Sequence, residues 1–108
     1  MPRMKFQTLT EQMFYILLCL MDECCGMDIM GKVTQMTDGR VSVGPGTLYN
    51  LLESFVEAGM IRETKVEGRK RSYIITDSGK EALRNEYQRL LKLASDYRDI
   101  VKEGGTGE

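Results

Sequence analysis

The residues best placed to do chemistry in this chain are polar and cationic rather than nucleophilic. Thr47, Asn50, Ser54 and Glu57 recur at helical spacing, with Tyr49 on their border. Further on, Glu67-Gly68-Arg69-Lys70-Arg71 sets three adjacent cations beside a glycine turn. Amide and hydroxyl side chains on one helix face can hydrogen-bond base edges in a major groove, and cations on a turn can reach phosphates. Asn50 suits an adenine edge, the Thr47 methyl a thymine methyl, and Tyr49 a phosphate oxygen. Backbone N–H groups near Gly46 and Thr47, at a helix start, suit a phosphate. Each feature also has a plainer reading. A polar face is what any solvated helix presents, and cations on a hairpin protect a strand edge from aggregation. Glu53 and Glu57 repel phosphates, so base reading is expected from the N-terminal half of the helix.

Other chemistry finds little support. The chain of 108 residues contains no histidine, which removes the usual general base and the usual nitrogen metal ligand. No phosphate loop and no converging acid pair stand out, so an enzyme is not expected. Cys19, Cys24 and Cys25 are odd in number and lack ligand or disulfide spacing. They read as small buried apolar residues in reducing surroundings, with a thiol sensor at Cys24-Cys25 as the rival. No metal and no cofactor are expected. The formal charge is -1, which counts against nucleic-acid binding, but its distribution is uneven. From Ile61 to Ile75, five cations face two carboxylates, a local surplus of +3 that leaves -4 on the rest. Such a ridge can steer toward phosphates. No apolar run is long enough for a bilayer, and no signal-peptide pattern opens the chain, so a cytoplasmic location is expected.

These residues need a scaffold. Met1 to Gln7 reads as an arm carrying Arg3 and Lys5. Thr8 and Glu11 have capping-box spacing and open a helix to about Glu23. Leu9, Met13, Ile16, Leu17, Leu20 and Cys24 form one apolar stripe on it, and Phe14, Leu18, Met21 and Cys25 a second. A small domain covers one of these, so the other suggests a second subunit. A second helix spans about Met27 to Thr37, with Ile29, Met30, Val33 and Met36 inward, and Asp38-Gly39 ends it. Pro45 suits the first position of a third helix, which Gly59 closes. Leu48, Leu51, Leu52, Phe55 and Ala58 face inward from it. Ile61–Val66 and Arg71–Ile75 read as strands turned by Gly68. Ser78 and Glu81 cap a last helix running to about Val101. On it Leu83, Tyr87, Leu90, Ala94, Tyr97 and Val101 keep a heptad seam. That seam either packs on the domain itself or joins two chains, and the surplus on the first helix favours the dimer. Phe14, Leu18 and Met21 are expected to join it.

The expected fold is mostly α with a small β-hairpin, a winged helix-turn-helix followed by a long C-terminal dimerisation helix. Residues 1–76 form the DNA-binding part, 77–103 the dimerisation helix and 104–108 a disordered tail. Several motifs together resemble the PadR family of bacterial transcriptional regulators. They are Gly46-Thr47-Leu48-Tyr49, Leu51-Leu52, Glu57-Ala58-Gly59-Met60-Ile61, Arg69-Lys70-Arg71-Ser72-Tyr73 and Thr76-Asp77-Ser78-Gly79. Gly26-Met27-Asp28-Ile29 is similar to the family's second-helix opening. The likeness spans about Leu9 to Leu93, and the Gly-Thr-Leu-Tyr motif is its most selective part.

The resemblance implies a homodimer that represses promoters on double-stranded DNA, in many members released by a small aromatic effector. It implies DNA contacts at Thr47, Tyr49, Asn50, Arg69, Lys70 and Arg71. Contact from Ser54 follows from its place on the polar face. The family commonly has proline where this chain has Asn50. Some short members stack drugs on a tryptophan of the last helix, and this chain has none. Met13, Met21, Met27, Met30 and Met36 read as core, with an adaptable apolar site as the rival. A winged-helix protein-interaction module that does not bind DNA is the competing function.

Overall fold

The computed structural model describes residues 8–101. The N-terminal arm and the C-terminal tail considered above lie outside them. The described chain runs α1 (Glu11–Cys19), β1 (Cys24–Cys25), α2 (Gly26–Met36), α3 (Pro45–Glu57), β2 (Ile61–Glu67), β3 (Lys70–Ile75) and α4 (Asp77–Val101). The fold is four helices on a three-stranded antiparallel sheet of order β1-β3-β2. It is the expected winged helix-turn-helix with one strand more than the hairpin alone.

Several element ends differ from the sequence reading. Thr10, not Thr8, caps α1: its hydroxyl accepts from the Met13 N–H at 3.2 Å. The start is displaced because the Leu9 N–H donates at 3.2 Å to Glu86 on α4, which fixes Leu9 outside the helix. At its other end α1 stops at Cys19 instead of Glu23. The chain turns there so that Cys24 and Cys25 pair with Tyr73 and Ser72 of β3. The Leu20 carbonyl accepts from the Ile75 N–H at 2.8 Å, extending that union. Gly26 therefore begins α2 directly instead of merely breaking α1. Asp38 and Gly39 both take left-handed φ values, 57° and 81°, and turn the chain after α2.

The core gathers one face from each helix. Ile16, Leu17 and Leu20 meet Ile29 and Val33 of α2, Leu48, Leu52 and Phe55 of α3, and Ile61, Tyr73 and Ile75 of the sheet. The methionines follow a different rule from the one expected. Met13 and Met30 pack against the core, but Met21, Met27 and Met36 are exposed. Met36 is therefore not core, contrary to the expectation. At about 100° per residue it falls on the same side as Ile29, but it is the last residue of α2 and lies past Val33, the last residue of that helix in the core.

The helix-turn-helix connection is anchored to α1. Gln12 donates to the Ser42 carbonyl at 2.8 Å, and Arg40 pairs with Glu11 at 2.6 Å. Val41 and Val43 are buried between them.

Thr76, not Ser78, caps α4. Its hydroxyl accepts from the Gly79 N–H at 3.1 Å and donates to the Gly59 carbonyl at 2.7 Å. The Thr76 N–H also donates to the Met60 carbonyl at 2.9 Å. A Cβ on Gly79 would lie 2.2 Å from that same Met60 oxygen, so only glycine lets α4 approach so closely. Leu83 and Glu86 are buried against the body of the protomer. Beyond them α4 projects outward, and the described chain measures 57 × 36 × 22 Å. Tyr87, Leu90, Leu91, Leu93, Tyr97, Ile100 and Val101 are exposed along that projection.

Candidate nucleic-acid interface

The position of α3 follows from its buried side. Leu48, Leu52 and Phe55 anchor the helix. At about 100° per residue, the opposite side centres on Gly46, Asn50, Glu53 and Glu57. Thr47 and Asn50 are exposed as expected, and Ser54 is half-buried on the flank next to the core. Tyr49 and Val56 lie on the other flank, both exposed.

The start of α3 is open. Gly44 is the N-cap and Pro45 occupies the first turn. The first intrahelical bond runs from the Leu48 N–H to the Gly44 carbonyl at 2.9 Å, so the Gly46 and Thr47 N–H groups precede the ladder. A Cβ on Gly44 or Gly46 would meet nothing within 4 Å. An anion can thus reach these amides at the positive end of the helix dipole.

The hairpin stands beside the Tyr49 flank. A groove of about 420 Å³ separates them, lined by Tyr49, Glu53 and Val56 of α3, Glu63, Arg69, Arg71 and Tyr73 of the hairpin, and Met27 of α2. The strand register explains the composition. Arg71 and Tyr73 are alternate residues of β3 and share a face, and Glu63 stands opposite Tyr73. A bulge between Glu63 and Lys65 shifts the register nearer the tip. The extra residue, Thr64, donates to Glu23 at 2.5 Å.

Arg71 pairs with Glu63 at 3.3 Å diagonally across the strands. Tyr73 is buried below them. Burial pushes its phenol above the ordinary value, the Glu63 charge adds to this, and Arg71 opposes it. A Cβ on Gly26 would lie 3.4 Å from the Tyr49 ring and 3.6 Å from the Tyr73 ring, so the two phenols converge over a bare backbone.

The structure therefore brings Tyr49, Arg69 and Arg71 to one groove and leaves Thr47 and Asn50 on the adjoining outer face. Lys70 is exposed next to the turn. Sequence reasoning missed Glu53, Glu63, Tyr73 and Met27 as groove residues. Glu53 was within reach, since it follows Tyr49 by four positions on the same helical stripe. Glu63 was not, because its partnership with Arg71 depends on the bulge.

The thiols are quiet. Burial is the main cause that pushes Cys19 up to about 11, with the neighbouring Cys24 thiol adding and Lys32 opposing. Cys24 is raised too, chiefly by burial. Both stay protonated near neutral pH, and only the thiolate is nucleophilic. Cys25 is half-buried rather than fully enclosed. Among the described residues, no group of three or more His, Cys, Asp or Glu side chains is placed to hold a metal ion.

Residues 16–85 match the Transcriptional regulator PadR-like family, and this is most of the winged-helix part together with the first third of α4. The chain belongs to the PadR-like family of transcriptional regulators. That family consists of regulators rather than enzymes. Solved structures agree on the fold. A PadR family transcriptional regulator from Eggerthella lenta superposes with a TM-score of 0.74 at 17% identity, covering 86% of this chain and 83% of that one. A transcriptional regulator from Clostridium thermocellum gives 0.67 at 22% identity, covering 85% and 91%. Bacillus subtilis PadR, solved in complex with operator DNA, gives 0.60 at 26% identity over 68% of this chain and 46% of that one. No curated protein matches the chain. Among the described residues, no helix of this PadR-like chain is long and apolar enough to cross a membrane.

Proposed function

We propose that this PadR-like chain is a cytoplasmic, homodimeric repressor that binds double-stranded DNA sequence-specifically and releases it on binding a small aromatic effector. The observation that carries the reading is the open, exposed start of α3 beside a basic hairpin on the same side of the molecule. Thr47 and Asn50 read base edges in the major groove. Tyr49, Arg69 and Lys70 hold backbone phosphates, Ser54 lies at the margin of the contact, and Arg71 stands behind them beside Glu63. Bacillus subtilis PadR supplies the precedent for operator binding.

The winged-helix part before α4 serves for DNA binding, and α4 serves as the dimerisation helix. The uncovered apolar face of α4 supports the dimer. Tyr87, Leu90, Ala94, Tyr97 and Val101 of the heptad seam are exposed along its length, while Leu83 is largely spent on the protomer's own core. Phe14, Leu18 and Met21 of the α1 end continue that face. Together with Leu83 and Tyr87 they line an open apolar cavity of about 410 Å³, rimmed by Lys80 and Arg84. This is the place for an effector. Occupancy there changes the angle between the two heads and the fraction of dimers competent for DNA.

Glu53 and Glu57 on the outward side of α3 favour a second reading, a protein-interaction module without DNA affinity. Alanine at Thr47 and Asn50, tested on selected duplexes by gel shift, separates the two. The repressor loses discrimination between duplexes by about 1–3 kcal/mol per base contact. The module binds no duplex before or after substitution.

A further inference from the structure

The groove between α3 and the hairpin is close to neutral in charge although the hairpin as a whole is basic. Its two guanidinium groups, Arg69 and Arg71, share it with the carboxylates of Glu53 and Glu63. Arg71 pairs with Glu63 at 3.3 Å and shares a face of β3 with Tyr73, which stands opposite Glu63. Tyr73 is buried beneath the pair, and the Arg71 side chain stays 62% exposed above it. Lys70 sits on the opposite face of β3 by strand alternation and has no part in this set. The three adjacent wing cations are therefore not equivalent.

We propose that Glu63 is a built-in brake on the wing: it retains Arg71 across the hairpin and keeps that guanidinium off the DNA backbone. This rests on the DNA-binding reading above. Phosphate neutralisation is independent of sequence, so every cation on the backbone raises affinity for all duplexes alike. Withholding Arg71 lowers non-specific affinity while the base contacts of α3 stay intact. Glu63 thereby lowers affinity for specific and non-specific duplexes alike and makes binding less steeply dependent on salt. Arg71 acts as a positioning residue, held to Glu63 across the two strands of the hairpin.

The salt dependence of binding counts phosphate contacts and decides the matter. Full-length protein is titrated into a random-sequence duplex between roughly 50 and 200 mM salt, and log K is plotted against log salt. Glu63→Gln releases Arg71, so the slope steepens by about 0.9 per wing, or about 1.8 per dimer, and binding tightens several-fold. Arg71→Gln leaves the wild-type slope unchanged. Lys70→Gln flattens it by about 1.8 per dimer. The double variant Glu63→Gln/Arg71→Gln returns to the wild-type slope. The brake is overturned if Arg71→Gln alone flattens the slope as Lys70→Gln does, or if Glu63→Gln tightens binding without steepening it. The second outcome would reduce Glu63 to simple repulsion. A wild-type protein that binds no duplex even at low salt removes the DNA-binding reading itself, and this inference with it.

Discussion

At the scale of single residues, two positions that carry no base contact hold the scaffold. Glu86 is the buried charged residue of the described chain, 4% exposed, and joins Arg89 of its own helix to the Leu9 N–H that precedes α1. The Arg89 hydrogen bond holds its carboxyl below the ordinary glutamate value of 4.5, with the Leu9 N–H assisting and burial opposing. A depressed carboxylate stabilises the fold fully above that ordinary value, and the contribution is lost as pH falls through the lower folded value. Urea titrations at pH 7 and in that acid range should show the loss in the wild type and a smaller one in Glu86→Gln. Glu86→Ala leaves the Leu9 N–H unsatisfied and should cost about 1–3 kcal/mol at pH 7. Gly79 is constrained from the other side, because a methyl group there would press on a backbone oxygen that cannot turn away. Gly79→Ala should cost at least the upper part of the ~1–3 kcal/mol range for overpacking, read as a lower urea midpoint.

At the scale of elements, Thr76 joins the end of α3 to the start of α4 through one hydroxyl. Thr76→Val keeps the shape and removes both bonds, so chemical denaturation should show a loss of about 1–2 kcal/mol. How far the elements could be read from sequence depended on whether their signals were local. The ends of α3 were legible because Gly44-Pro45 and Gly59 act within one turn, and Gly59 takes φ 78°. The hairpin was legible because Gly68, with φ 64°, must turn it. The start of α1 was not. Thr8-x-x-Glu11 and Thr10-x-x-Met13 offer the same spacing, and the choice is made by Glu86, far along the chain. Cys24-Cys25 is a strand only because β3 lies beside it. The groove was half legible for the same reason. Tyr49 and the wing cations carried their own signals, whereas the position of Glu63 depends on a bulge in the strand register.

At the scale of the whole molecule, the long exposed face of α4 and the open start of α3 lie on one chain but ask for different partners. A second copy covers the first, and a duplex meets the second. Leu90→Glu with Tyr97→Glu places charges in the seam and should convert the dimer to a monomer by sedimentation, with far-UV helicity in the winged-helix part retained. DNA affinity should fall sharply in the same variant, because two half-sites are then no longer held together. The central claim is that a symmetric pair of α3 helices meets successive turns of one DNA face. Selection of bound duplexes from a random pool at moderate salt measures this directly. The recovered sequences should align as an inverted repeat whose half-sites lie about 34 Å apart, or a multiple of it. A recovered pool with no symmetry, or no enrichment over the starting pool, would contradict it.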